Sequence, residues 1–367
     1  MKLKKIYLSI TLLLIFYTAT YPQEETVELK IDYSNQNIAD VITLKDSTLL
    51  LISQNIKKKK YYFTLLDNDF NYIFYDSIIF PTEMEYRQYT NDNDNIYVLF
   101  SNANNKRKNI INIAVINKNH AKYSKISVNI NNNFIPSIIK IFNNNIYIGG
   151  KSYPSNLKIF LKNISSVAVI PILTGFTNIV SSPVAYVINK DNNSVKQLSF
   201  IDYKEEGDIQ DIINKGDTIY ILENIIKKRK HSGSQNIFLV NNKNLNLINK
   251  IIGRSYDNKI YKTSKILINN DSIINIIGIY DKFRNTRIIN QFESTGLFFS
   301  TTDSNSSNIV SSFINLYDIK SAYHILEKND SIKILKKKQK LQEKGKEIDV
   351  RTQFILNNII QEKDNYK

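Results

Sequence analysis

The residues of this chain that could do chemistry are few and scattered. His120, His231 and His324 stand far apart without ligand spacing, so nitrogen ligation of a metal is not expected. The absence of Cys removes disulfides, thiolate nucleophiles, thiolate metal sites and a lipidated N-terminal cysteine. Asn91-Asp92-Asn93-Asp94-Asn95 has the oxygen content of a calcium loop. It lacks the central Gly and distant bidentate Glu of an EF-hand, and is read as a turn between strands. Gly150-Lys151-Ser152 matches the end of a phosphate-binding loop, but Asn145 stands at the upstream Gly position and Tyr153-Pro154 follows where a helix should begin. No Gly-x-Ser-x-Gly elbow is present, and no Ser-His-Asp set can be nominated by spacing. Glu205-Glu206 and Glu24-Glu25 are read as surface charges first and glycosidase acids second. The expectation is therefore no catalytic, cofactor-binding or metal-binding residue, no cofactor and no enzyme.

The elements that would have to position any site read as strands. A small polar residue opens a run of alternating β-branched and aromatic residues at Ser47 to Ile52, Asn95 to Phe100, Asn145 to Gly150, Asp217 to Leu222 and Asp271 to Gly278. Partner strands are expected at Tyr61 to Leu66, Ile111 to Ile116, Leu157 to Leu161, Asn236 to Val240 and Gly296 to Phe299. Successive units lie about 50 residues apart, with a longer gap that could hold a degenerate unit around Pro183 to Phe200. One such unit cannot bury both of its faces, so the reading favours an all-β, propeller-like array of about six antiparallel blades, incomplete if the ring does not close. A β-sandwich is the alternative. Tyr97, Tyr147, Tyr220 and Ile274 follow the polar opening by two or three residues and are expected at equivalent strand positions. The 23 Tyr and 18 Phe are assigned chiefly to the core, with exposed ones at a rim able to stack on sugars or grip a peptide.

With 42% apolar residues the chain is globular in composition, and its net charge of +15 reflects a Lys excess spread, like its Asn and Ile, along its length. No groove-reading motif accompanies the charge, so nucleic acid is not expected as a partner. Lys2, Lys4 and Lys5 precede an uncharged apolar run from Ile6 to Tyr17, the layout of an export signal over residues 1–22, with cleavage between Thr20 and Gln23. The run is shorter than the ~20 residues a membrane-spanning helix needs. The chain is thus expected to be exported, periplasmic or extracellular. Residues 23–316 are read as the β domain, and 317–367 as a helical insertion plus a final strand of the same domain. Asn329, Asp330 and Ser331 cap a short basic helix over Ile332 to Lys344, Gly345 stops it, and strand character resumes from Val350 to Ile360.

Ile276-Ile277-Gly278-Ile279-Tyr280, then Ser294-Thr295-Gly296-Leu297-Phe298-Phe299, resemble a Gly-Phe-Tyr strand and a Gly-hydrophobic-Phe strand of a group of uncharacterised secreted proteins of Bacteroidota. Gln342 to Ile348 and Leu356 to Ile360 resemble that group's Lys-rich helix and the strand after it. The resemblance implies a propeller-type fold and export, and brings no activity. Members of the group continue for one or two further β units, whereas this sequence stops at Asn365-Tyr366-Lys367, so an incomplete ring or truncated product is expected. The leading functional expectation is an exported, non-enzymatic recognition or scaffold protein whose loops contact an envelope protein or glycan. An extracytoplasmic hydrolase using carboxylates at a central pocket is the alternative, and a remnant without activity a third reading.

Overall fold

The structure, a computed structural model, describes residues 37–315 except 45–47, 56–58, 81–83, 103–108, 120–121, 131–132, 154–180, 202–205, 228–231, 269–272, 283–292 and 307, together with a few positions beyond 331. The expected export signal and all three histidines lie outside the described residues. Among the described residues no helix is long and apolar enough to cross a membrane. The chain divides into two compact units, residues 1–79 and 80–367.

Unit 1 holds one four-stranded antiparallel sheet in sequence order, β1 (Asn37–Thr43), β2 (Leu49–Asn55), β3 (Lys60–Leu66) and β4 (Tyr72–Ile79). Unit 2 repeats this plan. Its second sheet is β5 (Glu85–Asn91), β6 (Asn95–Ser101), β7 (Asn109–Asn117) and β8 (Lys122–Ile130). The third is β9 (Asn133–Phe142), β10 (Asn145–Tyr153), β11 (Ser182–Asn189) and β12 (Val195–Gln197), and the fourth β13 (Glu206–Lys215), β14 (Thr218–Lys227), β15 (Ser232–Asn241) and β16 (Leu247–Gly253). After the short β17 (Tyr256–Asp257), which pairs with β15, the fifth sheet is β18 (Lys259–Ile268), β19 (Ile273–Lys282), β21 (Gly296–Asp303) and β22 (Asn308–Asn315). A short parallel pairing of β16 with β22 joins the fourth and fifth sheets. The two-residue strands β20 (Glu293–Ser294) and β23 (Thr352–Gln353) pair with each other, as do β24 (Gln361–Glu362) and β25 (Asn365–Tyr366).

The fold is all-β and propeller-like, built of repeated four-stranded blades as the spacing predicts, with five of them among the described residues rather than six. The difference lies in the third blade. The segment read as a degenerate unit of its own supplies β11, which pairs along β10 in the place given to Leu157 to Leu161, and the latter lie outside the described residues. The other four expected partner strands are β3, β7, β15 and β21.

Side-chain alternation explains why the middle strands are buried on both faces. In β10, Ile146 and Ile148 pack back against the second sheet while Tyr147 packs forward against the fourth. In β14, Ile219 and Ile221 face the third sheet, and Tyr220 and Leu222 the fifth. The core of unit 2 is thus three apolar layers, each shared by two consecutive sheets, and each fully buried large side chain contributes about 1.5–3 kcal/mol. Tyr97, Tyr147 and Tyr220 do occupy equivalent forward-facing positions. Ile274 does not: it packs back towards the fourth sheet, among Tyr220 and Leu222. Register pairs Ile268 with Ile274, an odd number of residues apart at the turn, whereas Lys215 pairs with Thr218 across an even one. One extra residue turns every side chain to the other face.

Of the expected basic helix, Ile332, Lys336, Gln339, Lys340 and Glu343 are described, and they are helical and exposed. Lys344, also exposed, lies in a turn, Thr352–Gln353 of the strand expected at Val350 to Ile360 form β23, and the rest of both segments lies outside the described residues.

Candidate functional site

The first strand of every sheet carries an irregularity at the same level. Pairing with the second strand skips Ala39 in β1, Arg87 in β5, Ser137 in β9, Gln210 in β13, and Lys262 with Thr263 in β18. Such bulges bend the strand and re-aim side chains. In unit 2 the first strands adjoin in order, β5 beside β9, β9 beside β13 and β13 beside β18. The bulged Ser137, Gln210, Lys262 and Thr263 line one cleft of about 510 Å³, joined by Gln88 beside the β5 bulge.

Polar side chains beside the bulges tie each first strand to the next. The Ile139 N–H donates to Gln88 Oε1 at 2.9 Å, and the Ile266 N–H donates to Asp211 Oδ2 at 2.9 Å. Between β9 and β13 the Ser137 hydroxyl lies 3.0 Å from the Ile209 carbonyl oxygen and 3.1 Å from Asp208 Oδ1. These bonds satisfy backbone groups on the open edges of the first strands, which stand at the ends of their sheets. Gly149 is needed at the same junction, because a Cβ there would sit 2.4 Å from Ile209 Cγ2 and 2.7 Å from Ile138 Cγ2. The Gly150-Lys151-Ser152 run is accordingly strand β10, not a phosphate loop.

Strand β13 supplies the chemistry. Glu206 and Asp208 stand at alternate positions before the bulge and so share a face, and both line the cleft together with the bulged Gln210. Two positions on one strand face are about 6.6 Å apart along the chain, which places both carboxyls in one small-molecule cleft. Burial pushes the Asp208 carboxyl up to about 6, against the opposing pull of the Lys151 ammonium and of hydrogen bonds from Ser137 and the Ile209 N–H. A carboxyl that is protonated in mildly acidic solution and ionised at neutrality can donate or accept a proton near physiological pH.

Each cleft lysine faces a carboxylate. Lys262 Nζ lies 3.4 Å from Asp281 Oδ2 with both side chains nearly buried, and the Thr295 hydroxyl donates to Asp281 Oδ1 at 2.8 Å. Lys265 Nζ lies 3.8 Å from Asp211 Oδ1, and Lys151 acts on Asp208. Asn224, on the cleft wall, leads into a buried amide and hydroxyl network. Its Nδ2 donates to Ser264 Oγ at 3.0 Å, and Gln235 Nε2 donates to its Oδ1 at 2.9 Å.

The sequence-level candidates fare differently. Asn91 to Asn95 is a turn whose Asp92 Oδ1 accepts the N–H groups of Asp94 at 3.1 Å and Asn95 at 2.8 Å, while Oδ2 accepts the Tyr97 hydroxyl at 2.8 Å. Burial works to raise the Asp92 carboxyl, and the bonds from Tyr97, Asn95 and Asp94 overcome it, holding it below the usual value. Among the described residues no group of His, Cys, Asp and Glu is placed to hold a metal ion. Glu206, read as surface charge, lines the cleft; its neighbour Glu205 lies outside the described residues. Asp208 and Ser137 were not singled out from sequence. The signal available was a polar residue on every second position of a strand that should otherwise have been apolar on both faces.

These features define the class as an all-β, propeller-like protein with a polar cleft along its first strands. No protein-family profile matches the chain, and no curated protein matches it. Solved structures that it resembles include a lignostilbene dioxygenase of Pseudomonas brassicacearum, at 9% identity and TM-score 0.43 over 73% of this chain and 60% of that one. An apocarotenoid oxygenase of Synechocystis matches at 8% identity and TM-score 0.40, over 73% and 61%. A subtype N10 neuraminidase-like protein of A/little yellow-shouldered bat/Guatemala matches at 10% and 0.41, over 74% and 78%. The chain thus spans about 60% of the length of those oxygenases. The likeness concerns strand layout alone and carries no residue or substrate across. The expectation of a non-enzymatic scaffold or recognition module is corrected on another ground: missing sequence motifs do not exclude catalysis, and the cleft brings together carboxyl side chains that no motif announced.

Proposed function

We propose that the cleft binds a small polar molecule and performs acid–base chemistry on it, with Asp208 as proton donor and acceptor and Glu206 as the second carboxylate. The observation that carries this is the Asp208 carboxyl, raised to about 6 by burial on a cleft wall and within reach of the Ser137 hydroxyl. Glu206 shares its strand face, and two carboxyls in unlike surroundings can take the two halves of a proton transfer. The volume suits a small molecule rather than a polymer. The test is turnover of a panel of small polar compounds followed against pH. Activity should show a limb near the Asp208 value and fall by about 10²-fold or more in Asp208→Asn. Full activity in that variant would overturn the assignment.

The setting we propose is outside the cytoplasm. Its support is the basic start at Lys2, Lys4 and Lys5, the apolar run from Ile6 to Tyr17 and the resemblance to secreted proteins of Bacteroidota.

A further inference from the structure

The charge on the cleft wall is arranged against the charge of the chain. The protein carries a net +15, yet the three lysines that line the cleft each have a carboxylate of their own. Lys262 and Asp281 form a nearly buried pair, Lys265 stands against Asp211, and Lys151 acts on Asp208. An anionic ligand would have to draw a lysine away from its partner, which leaves that carboxylate in a poorly solvated place. A cationic ligand would meet the same lysines at close range. Beside these groups and the Glu206 carboxylate, the wall offers uncharged hydrogen-bonding side chains, among them Gln210 on β13 and Thr263 on β18 at the bulges, and Ser181. We propose that the ligand is a neutral, polyhydroxylated molecule of the sugar class. Hydroxyl groups both donate and accept, which matches a wall of hydroxyls and amides, and they leave the Lys262–Asp281 and Lys265–Asp211 pairs intact. The proposal rests on the acid–base reading of the same cleft, for which it names the substrate class.

Binding by the full-length chain decides it. The probes are neutral disaccharides, the same sugars oxidised to uronic acids, and inorganic phosphate, each measured calorimetrically at low and high salt. The neutral sugars should bind, with an affinity unchanged by salt and reduced about tenfold by Thr263→Val and by Gln210→Ala, while the uronic acids bind about tenfold more weakly. Tighter, salt-sensitive binding of the uronic acids or phosphate, weakened by Lys151→Met, would overturn the neutral class. So would the absence of neutral-sugar binding altogether. The two readings fail separately. A neutral sugar that binds but is turned over equally by Asp208→Asn removes the acid–base role and keeps the class, and Asp208-dependent turnover of an acidic sugar does the reverse.

Discussion

Replacing Asp208 with Asn tests the cleft without any ligand, because the amide keeps the shape of the protonated carboxyl and cannot ionise. The folded carboxyl titrates near 6, above its ordinary value of 3.8. Between about pH 4 and pH 6 the folded chain therefore holds a proton that the unfolded chain has released. Stability from this group is fully present below the unfolded value and is lost as pH rises through the folded one. The shift corresponds to at most about 3 kcal/mol, and about 1–2 kcal/mol remains once solvent in the cleft is allowed for. Asp208→Asn should thus match the wild-type chain near pH 3.5 and exceed it by about 1–2 kcal/mol near pH 7.5. Urea unfolding of both proteins at the two pH values measures the difference. Equal stability at both, or a loss at neutral pH, would refute the claim that Asp208 is ionised at a cost.

Gly149→Ala should destabilise by about 1–3 kcal/mol because its Cβ would strike Ile209 Cγ2, and Ile209→Ala, which removes that atom, should couple favourably to it in a double-mutant cycle. Removing the Tyr147 hydroxyl, which donates to Asn242 Oδ1 at 3.1 Å between the third and fourth sheets, should cost about 1–2 kcal/mol, read from urea midpoints of Tyr147→Phe. Burial pushes that phenol up to about 12, so its contribution should hold through neutral pH. Mature protein recovered from culture should begin near residues 21 to 24 in N-terminal mass spectrometry, and retention of Met1 would end the export proposal.

The second strands were the legible part of this fold. They are buried on both faces, so their β-branched and aromatic runs stand out, and counting from the polar opening aligns Tyr97, Tyr147 and Tyr220 to within one residue. Counting fails at Ile274 because the chain fixes facing direction by parity at the turn, which the run itself does not encode. It fails again for β11, since a long intervening stretch hides which later strand returns to β10. The cleft was hardest to see. Its residues come from first strands, where a bulge shifts which positions face inward, and Ser137 or Asp208 then looks like an ordinary polar interruption. A site assembled from one or two residues per blade leaves no local motif.

The way the sheets are joined also bears on how the chain comes apart. Each sheet is made from a contiguous stretch of chain, and in unit 2 the side-chain bonds at the bulges run only to a neighbour. Such an array behaves as a one-dimensional series, in which a sheet is steadied by those beside it and opening begins at the ends. The parallel pairing of β16 with β22 is a further strap between the fourth and fifth sheets. Native-state hydrogen exchange should accordingly show the fourth and fifth sheets opening together as one cooperative block.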